Sequence, residues 1–403
     1  MKKIAIYLGM ILFPIGILAQ VNQHDDMERQ TNQGDFFSSD SSTALIPISK
    51  QSLLRDVDVI FNLRSSFNSN LLNGKHTISN FKMDEFRLEI AGKIHDKVNF
   101  RFRNRYTNQP VAGNMDHMSS AVDVAFLNFE VTPRTSLSFG KLCADWGGYE
   151  FDFNPIDILT YNDLLDNAGC YLVGAGLVHN LKDSKNSFSF QVLNSEQNTY
   201  EKQYGILAPP NINPSHFPLA VVTNWRGSFF GGKFETIYSY SFFNEAKGAN
   251  INYLALGNKF KFNKFLLYYD FKYSNEGIDF TGIVSRIKSS QYNYAAEHTL
   301  YIENWIRAEY KISSKFNTAL TLMNSNQFWN DNPDPNNDSK LSTSYGLIPT
   351  IQYFPFNDIN VKFYVGYTAR KFTYTKYAET TFGVKDYSTG LFSFGIIAPL
   401  LVL

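Results

Sequence analysis

Hydrophobic and polar residues alternate along most of the chain, most regularly between Phe86 and Tyr106. The apolar face carries Phe86, Leu88, Ile90, Val98, Phe100 and Phe102. The polar face carries Arg87, Glu89, Lys93, Asn99, Arg101, Arg103 and Arg105. A period of two on both sides of a short turn, His95 to Lys97, predicts a β-hairpin with one face in hydrocarbon and the other in water.

The row of arginines decides between a soluble sandwich and a membrane barrel. Arg101, Arg103 and Arg105 stand beside large apolar residues, which favours a barrel with a wet lumen. Reversing the register would place each of them in lipid, at roughly 2 to 4 kcal/mol apiece near the midplane. These three arginines and Arg87 are therefore predicted to line the pore.

The alternation recurs through the rest of the chain, with long and short connections in turn. It predicts an all-β fold, a transmembrane antiparallel barrel of about sixteen strands with short periplasmic turns and long extracellular loops. The first long loop is expected at residues 68–80. Pro349 falls within the fourteenth strand and is expected at a bulge, because proline cannot donate a ladder hydrogen bond.

The amino terminus carries an export signal. Lys2 and Lys3 precede an apolar run that ends before Ala19, which predicts a signal peptide at residues 1–19. An uncleaved anchor is the alternative, but the run is short for a spanning helix and includes Pro14. Residues 20–53 are polar and are expected to form a flexible leader, so the barrel occupies 54–403. Export of a barrel predicts the outer membrane of a Gram-negative bacterium.

Composition is consistent with this prediction. Mean hydropathy is −0.24 and aromatic residues make up 16% of the chain, which suits a barrel whose lumen is polar and whose interfaces carry aromatic girdles. The 37 basic and 37 acidic residues balance, so the charge gives no indication of a nucleic-acid partner.

The third long loop, Trp146 to Asp166, is acidic and aromatic and is called L3 below. Two adjacent glycines near its start would allow it to bend into the lumen and narrow the pore. Glu150, Asp152 and Asp157 are the predicted constriction residues, and they would then face the arginine row. An ordinary outer loop is the alternative.

Two cysteines, Cys143 and Cys170, flank L3. If their strands are neighbours, an oxidising envelope would allow a disulfide between them. Two separate packing residues explain the pattern equally well.

Enzymatic motifs are missing from the sequence. It contains no G-x-S-x-G, H-E-x-x-H or Walker motif, and the histidines are scattered. We therefore expect no enzyme, metal or cofactor. A barrel lipase would need a serine and a histidine together at the outer rim. A surface receptor would need a folded plug larger than the leader.

The hairpin and the stretch FGKLCADWGGYEFDFNPID resemble the phosphate-selective porin O and P family, from about Asp56 to the carboxyl terminus. The resemblance implies a homotrimer of sixteen-stranded barrels in which pore arginines guide anions and basic constriction residues bind phosphate. Arg101, Arg103 and Arg105 match the arginine element. Lys141 is the one basic residue close to L3 and is a further predicted pore-lining residue. The lysine-rich constriction of the family has no counterpart in L3.

The sequence thus predicts an outer-membrane porin that admits small hydrophilic solutes or ions by passive diffusion. A phosphate or anion channel is the nearest alternative, and a receptor or a lipase are alternatives from other classes. The expected partners are the solutes, outer-membrane lipid and further copies of the chain.

Overall fold

The computed structural model describes residues 57–182, 185–335 and 338–402. Within them, sixteen antiparallel strands form one closed barrel, and β1 pairs with β16. The strands are β1 (Val57–Leu72), β2 (Lys75–His95), β3 (Val98–Arg105), β4 (Val122–Thr132), β5 (Thr135–Cys143), β6 (Tyr171–Asn180), β7 (Asn186–Asn194), β8 (Leu219–Phe229), β9 (Phe234–Ala246), β10 (Ala249–Phe262), β11 (Phe265–Ile278), β12 (Glu297–Lys311), β13 (Phe316–Trp329), β14 (Lys340–Tyr353), β15 (Lys362–Tyr374) and β16 (Tyr387–Leu401). The fold class predicted from the sequence is confirmed. The predicted signal peptide and leader lie outside the described residues.

Side chains alternate between the lumen and the outer surface, as the period of two predicts. On β12 the lumen side is buried and mixed in polarity, with Tyr301, Glu303, Trp305, Arg307 and Glu309. In the β2–β3 ladder, Arg87 pairs with Arg105, Glu89 with Arg103 and Ala91 with Arg101. The register therefore places the four predicted pore arginines on one face.

The first connection differs from the sequence prediction. Residues 68–80 continue the ladder between β1 and β2, and the turn is the pair Asn73-Gly74, with φ of 49° and 76°. Two positive φ values in a two-residue connection are typical of a type I′ turn, which favours Asn-Gly. The predicted loop is thus a tight hairpin whose outer half is exposed.

Pro349 also departs from its prediction. It pairs with Leu320 in a register that is not shifted at that point, so there is no bulge. On the other side of the strand, pairing with β15 stops at Leu347 and resumes at Thr350. Pro349 is accommodated because the ladder between β14 and β15 is interrupted at this point.

Short helices occupy the longer connections. They are α1 (Tyr149–Asp152), α2 (Asp163–Asp166), α3 (Tyr200–Tyr204), α4 (Ile283–Lys288) and α5 (Lys376–Phe382), with 3-10 turns at Pro155–Asp157 and Gly205–Leu207. Among the described residues, no helix has both the length and the apolar character needed to cross a bilayer.

Candidate functional site: the L3 loop and the arginine cluster

L3 lies against lumen-facing side chains of strands distant in sequence. At its start, the backbone N–H groups of Tyr149 and Glu150 donate to the two carboxylate oxygens of Asp270 on β11, at 2.9 and 2.7 Å. A Cβ atom on Gly148 would stand 2.6 to 2.7 Å from that carboxylate. Glycine is therefore needed here because the loop backbone passes too close to β11 for a side chain.

A buried ion cluster holds L3 at two points. Lys272 on β11 is paired with Glu150 of the loop, and its Nζ lies 3.5 Å from an oxygen of Glu303 on β12. The side chains of all three residues are 0% exposed. Glu150 also accepts from the N–H of Asn162 at 2.6 Å, and Glu303 accepts from the N–H of Leu164 at 2.9 Å. The two carboxylates thus accept additional hydrogen bonds from backbone N–H groups of L3, which compensates for the burial of their charges.

Three other acidic residues of L3 have basic partners on further strands. These pairs are Asp152 with Arg226 of β8 at 2.8 Å, Asp157 with Lys362 of β15 at 2.5 Å, and Asp163 with Arg370 of β15 at 2.7 Å. These loop acids therefore form their ion pairs with strands other than those of the arginine row. Closure of the barrel brings β8, β11 and β15 close to L3. The sequence alone does not show which strands lie near this loop.

Apolar residues of L3 also pack against the barrel wall. Phe153 contacts the rings of Tyr268 and Trp305, with centroids 5.0 and 6.0 Å apart. Trp146 stacks edge-on against Tyr253 at 4.4 Å. Buried aromatic pairs add to the hydrophobic contribution, so L3 is fixed by packing as well as by charge.

The predicted pore arginines form a cluster on β2 and β3 that contains its own acidic partners. The ion pairs are Arg87 with Glu85 at 3.0 Å, Arg101 with Glu89 at 2.8 Å, and Arg87, Arg103 and Arg105 each with Asp123 at 3.2 Å. Four guanidinium groups therefore share three carboxylates. The side chains of Arg101 and Arg105 keep exposures of 32% and 26%. The positive field of this wall is smaller than the sequence suggested, because Asp123 on β4 opposes it.

Tyr171, the first residue of β6, joins the cluster and was not singled out from the sequence. Its hydroxyl oxygen accepts from Arg103 at 3.0 Å and from Arg87 at 3.4 Å. Its ring lies 5.4 Å from the guanidinium of Arg103 and 5.9 Å from that of Arg105. Such cation–π contacts orient arginines as well as stabilise them. Only its place beside L3 could have indicated this role.

Lys141 does not project toward L3 as a free cation. It is 1% exposed, its Nζ lies 3.8 Å from an oxygen of Asp116, and it donates to the carbonyl of Ser119 at 3.2 Å. Its charge is therefore directed at the connection between β3 and β4.

The two cysteines are adjacent but not bridged. Cys143 is paired with Tyr171 in the β5–β6 ladder, and the N–H of Ala144 donates to the carbonyl of Cys170 at 2.7 Å. Both thiols are free, and they share a hydrogen bond. The neighbouring strands that a disulfide needs are present at the base of L3.

A sixteen-stranded barrel with a loop fixed against its inner wall is the architecture of an outer-membrane porin. Residues 57–386 match the family described as phosphate-selective porin O and P, and the chain belongs to that family. It is thus a passive diffusion channel of the Gram-negative outer membrane.

Solved structures show the same fold at low sequence identity. The outer membrane channel DcaP of Acinetobacter baumannii is 12% identical with a TM-score of 0.55, covering 85% of this chain and 97% of that one. The anion-selective porin from Comamonas acidovorans is 10% identical with a TM-score of 0.54, covering 85% and 99%. OmpT of Vibrio cholerae is 10% identical with a TM-score of 0.52, covering 85% and 97%. No curated protein matches the chain significantly.

Proposed function

We propose that small hydrophilic solutes pass between L3 and the arginine cluster. The observation that carries this proposal is the set of ion pairs that fix L3 to β8, β11 and β15. L3 also accepts hydrogen bonds from Arg64 of β1, so it lies across the lumen and narrows it, while Arg101 and Arg105 stay partly exposed. Glu150, Asp152 and Asp157 act here as the anchors that set the width of the passage.

The passage has a modest preference for anions. The cluster has one more guanidinium group than it has carboxylates, so its net charge is positive. Arg101 and Arg105 are the most exposed arginines of the cluster. Fixed charges in a narrow pore raise the local concentration of ions of opposite sign. A strictly phosphate-selective channel is the second candidate. The family description and the arginine cluster favour it, whereas the acidic L3 does not.

Planar bilayers test both proposals in one measurement. The purified protein should insert with stepwise conductance, and reversal potentials in a KCl gradient should show a modest preference for chloride. Phosphate should compete with chloride only if the second candidate is correct. A bilayer that shows no conductance after the protein is added, or a strong preference for cations, would reject the proposed passage.

The arginine cluster provides a sharper test of the same passage. Replacing Arg101, Arg103 and Arg105 together by Gln leaves Asp123 and Glu89 with fewer partners, so the reversal potential should move toward cations. Arg134→Gln, at an exposed turn position, is the matched control and should leave the potential unchanged. An unchanged potential in the triple variant would remove these arginines from the ion path.

The remaining assignments belong to the same proposal. We infer that the protein works as a homotrimer without catalytic activity, as the family resemblance implies. We also infer that oxidation bridges Cys143 and Cys170, since their thiols are already in contact. Such a bridge would stiffen the stems of L3. Thiol labelling before and after reduction distinguishes the two redox states.

A further inference from the structure

A small polar pocket lies beside L3, at the end of the barrel where the short turns are found. It is formed by L3 and by β12 to β15, and its volume is about 20 Å³. The polar side chains that line it include Asp157, Arg307, Glu309, Asn317, Gln352 and Lys362. The five that belong to strands are each less than 9% exposed. The pocket is therefore built from buried polar groups and is separate from the arginine cluster.

Charge in the pocket is already balanced. Arg307 Nε lies 2.6 Å from Glu309 Oε1, and Lys362 Nζ lies 2.5 Å from Asp157 Oδ1. The Arg307 guanidinium also lies over the ring of Phe153, at 4.9 Å from its centroid. A charged solute would bring an unpaired charge into this buried site, and burying an unpaired charge is costly. The pocket therefore favours a ligand without net charge.

Two residues that line the pocket have buried amide oxygens without hydrogen-bond donors in the described part of the chain. Asn317 donates through Nδ2 to Gln352 Oε1 at 3.2 Å, while its own Oδ1 has no partner among the described residues. Asn360 Oδ1 is likewise buried and has no hydrogen bond within the described part of the chain. Buried acceptors need donors, and a hydroxyl group supplies one while accepting from a neighbour. The missing donor thus points to a hydroxylated ligand.

The volume limits how much of a solute can enter. A space of this size holds about one water-sized group. We propose that the pocket binds one hydroxyl arm of an uncharged polyhydroxylated solute, which reaches it from the periplasmic side of L3. This inference rests on the proposed passage and names its substrate class as small polyols and sugars.

Xylitol is a suitable probe, because it is neutral and carries a hydroxyl on every carbon. The full-length protein is reconstituted in planar bilayers, and xylitol is added on the side of the short turns while current noise is recorded. Binding should add noise whose corner frequency gives the residence time. Asn317→Leu removes the free acceptor and should shorten that time roughly fivefold, the effect of losing one hydrogen bond.

Asn68→Leu is the matched control. Asn68 also faces the lumen and also has a buried Oδ1 without a partner among the described residues, but it does not line this pocket. It should leave the xylitol residence time unchanged. Asn360→Leu provides a second pocket variant in case Asn317→Leu does not insert, and it should shorten the residence time as well.

Three outcomes would overturn the proposal. Absence of xylitol noise in an open channel would leave the pocket as a site for a water molecule. Equal residence times in the two pocket variants and the wild type would place binding elsewhere. Stronger noise from acetate or ethylammonium than from xylitol would show that charged solutes are preferred. Absence of any conductance would instead reject the porin proposal, so the two failures are distinguishable.

Discussion

Buried charge is the main feature of this lumen at the scale of single residues, and Lys272 is its clearest example. Replacing Lys272 by Met leaves Glu150 and Glu303 buried without their cation. The free energy of unfolding should fall by about 3 to 5 kcal/mol, the usual loss when one partner of a buried pair is removed. Denaturant unfolding in lipid vesicles measures it. Lys261→Met, at an exposed position of β10, is the control.

The double variant Glu150→Gln with Lys272→Met separates charge from packing. It removes one carboxylate with the cation and should recover part of the lost stability. A single Lys272→Met variant as stable as the wild type would contradict the assigned role of the cluster.

Glu196, just after β7, gives a pH-dependent prediction. Burial, and then the neighbouring Glu245, raises the pKa of Glu196 to about 8. The folded state therefore holds a proton that the unfolded state releases above a pKa of about 4.3. Stability from this group is greatest below that value and falls as the pH rises toward about 8. Hydrogen exchange in residues 195–218 should accelerate across this range beyond its intrinsic rate.

Glu196→Gln is the corresponding test. An amide mimics the protonated acid, so the variant should lose this pH dependence while keeping the protection seen at low pH. Persistence of the full pH dependence in Glu196→Gln would assign it to another group.

At the scale of elements, L3 is the one whose position matters most for transport. Replacing residues 153–161 by a short glycine linker should raise single-channel conductance, because it removes the segment proposed to narrow the lumen. Shortening the exposed tip of the first hairpin is the control and should leave conductance unchanged. Equal conductance in the L3 variant would mean that another part of the lumen sets the narrowest section.

At the scale of the whole molecule, closure of the barrel predicts how it behaves in detergent. A closed sheet has no free edge at which unfolding can begin. An unheated extract should therefore migrate as a compact or trimeric species that shifts on boiling, as gel mobility will show. Chemical crosslinking before electrophoresis separates the trimer from the compact monomer. Identical mobility before and after heating would contradict a closed barrel.

The alternation of apolar and polar residues was enough to predict the barrel, the strand count and the face that carries Arg87, Arg101, Arg103 and Arg105. Each of these follows from a local rule, since a strand between lipid and water alternates with a period of two. The Asn73-Gly74 turn was missed, because the polar residues around it suggested a longer loop. Alternation was sufficient for the strands, since most strands pair with their neighbours in sequence.

The pairing of charges, in contrast, depends on the three-dimensional arrangement of the strands. Glu150 finds Lys272, Asp157 finds Lys362, and three arginines share Asp123. The loop partners are far apart in sequence and come together because the barrel closes and L3 crosses to the opposite strands. Alternation assigns a residue to the lumen, but it carries no information on the distance across it. The balance of charge in the lumen could not be predicted from the sequence for this reason.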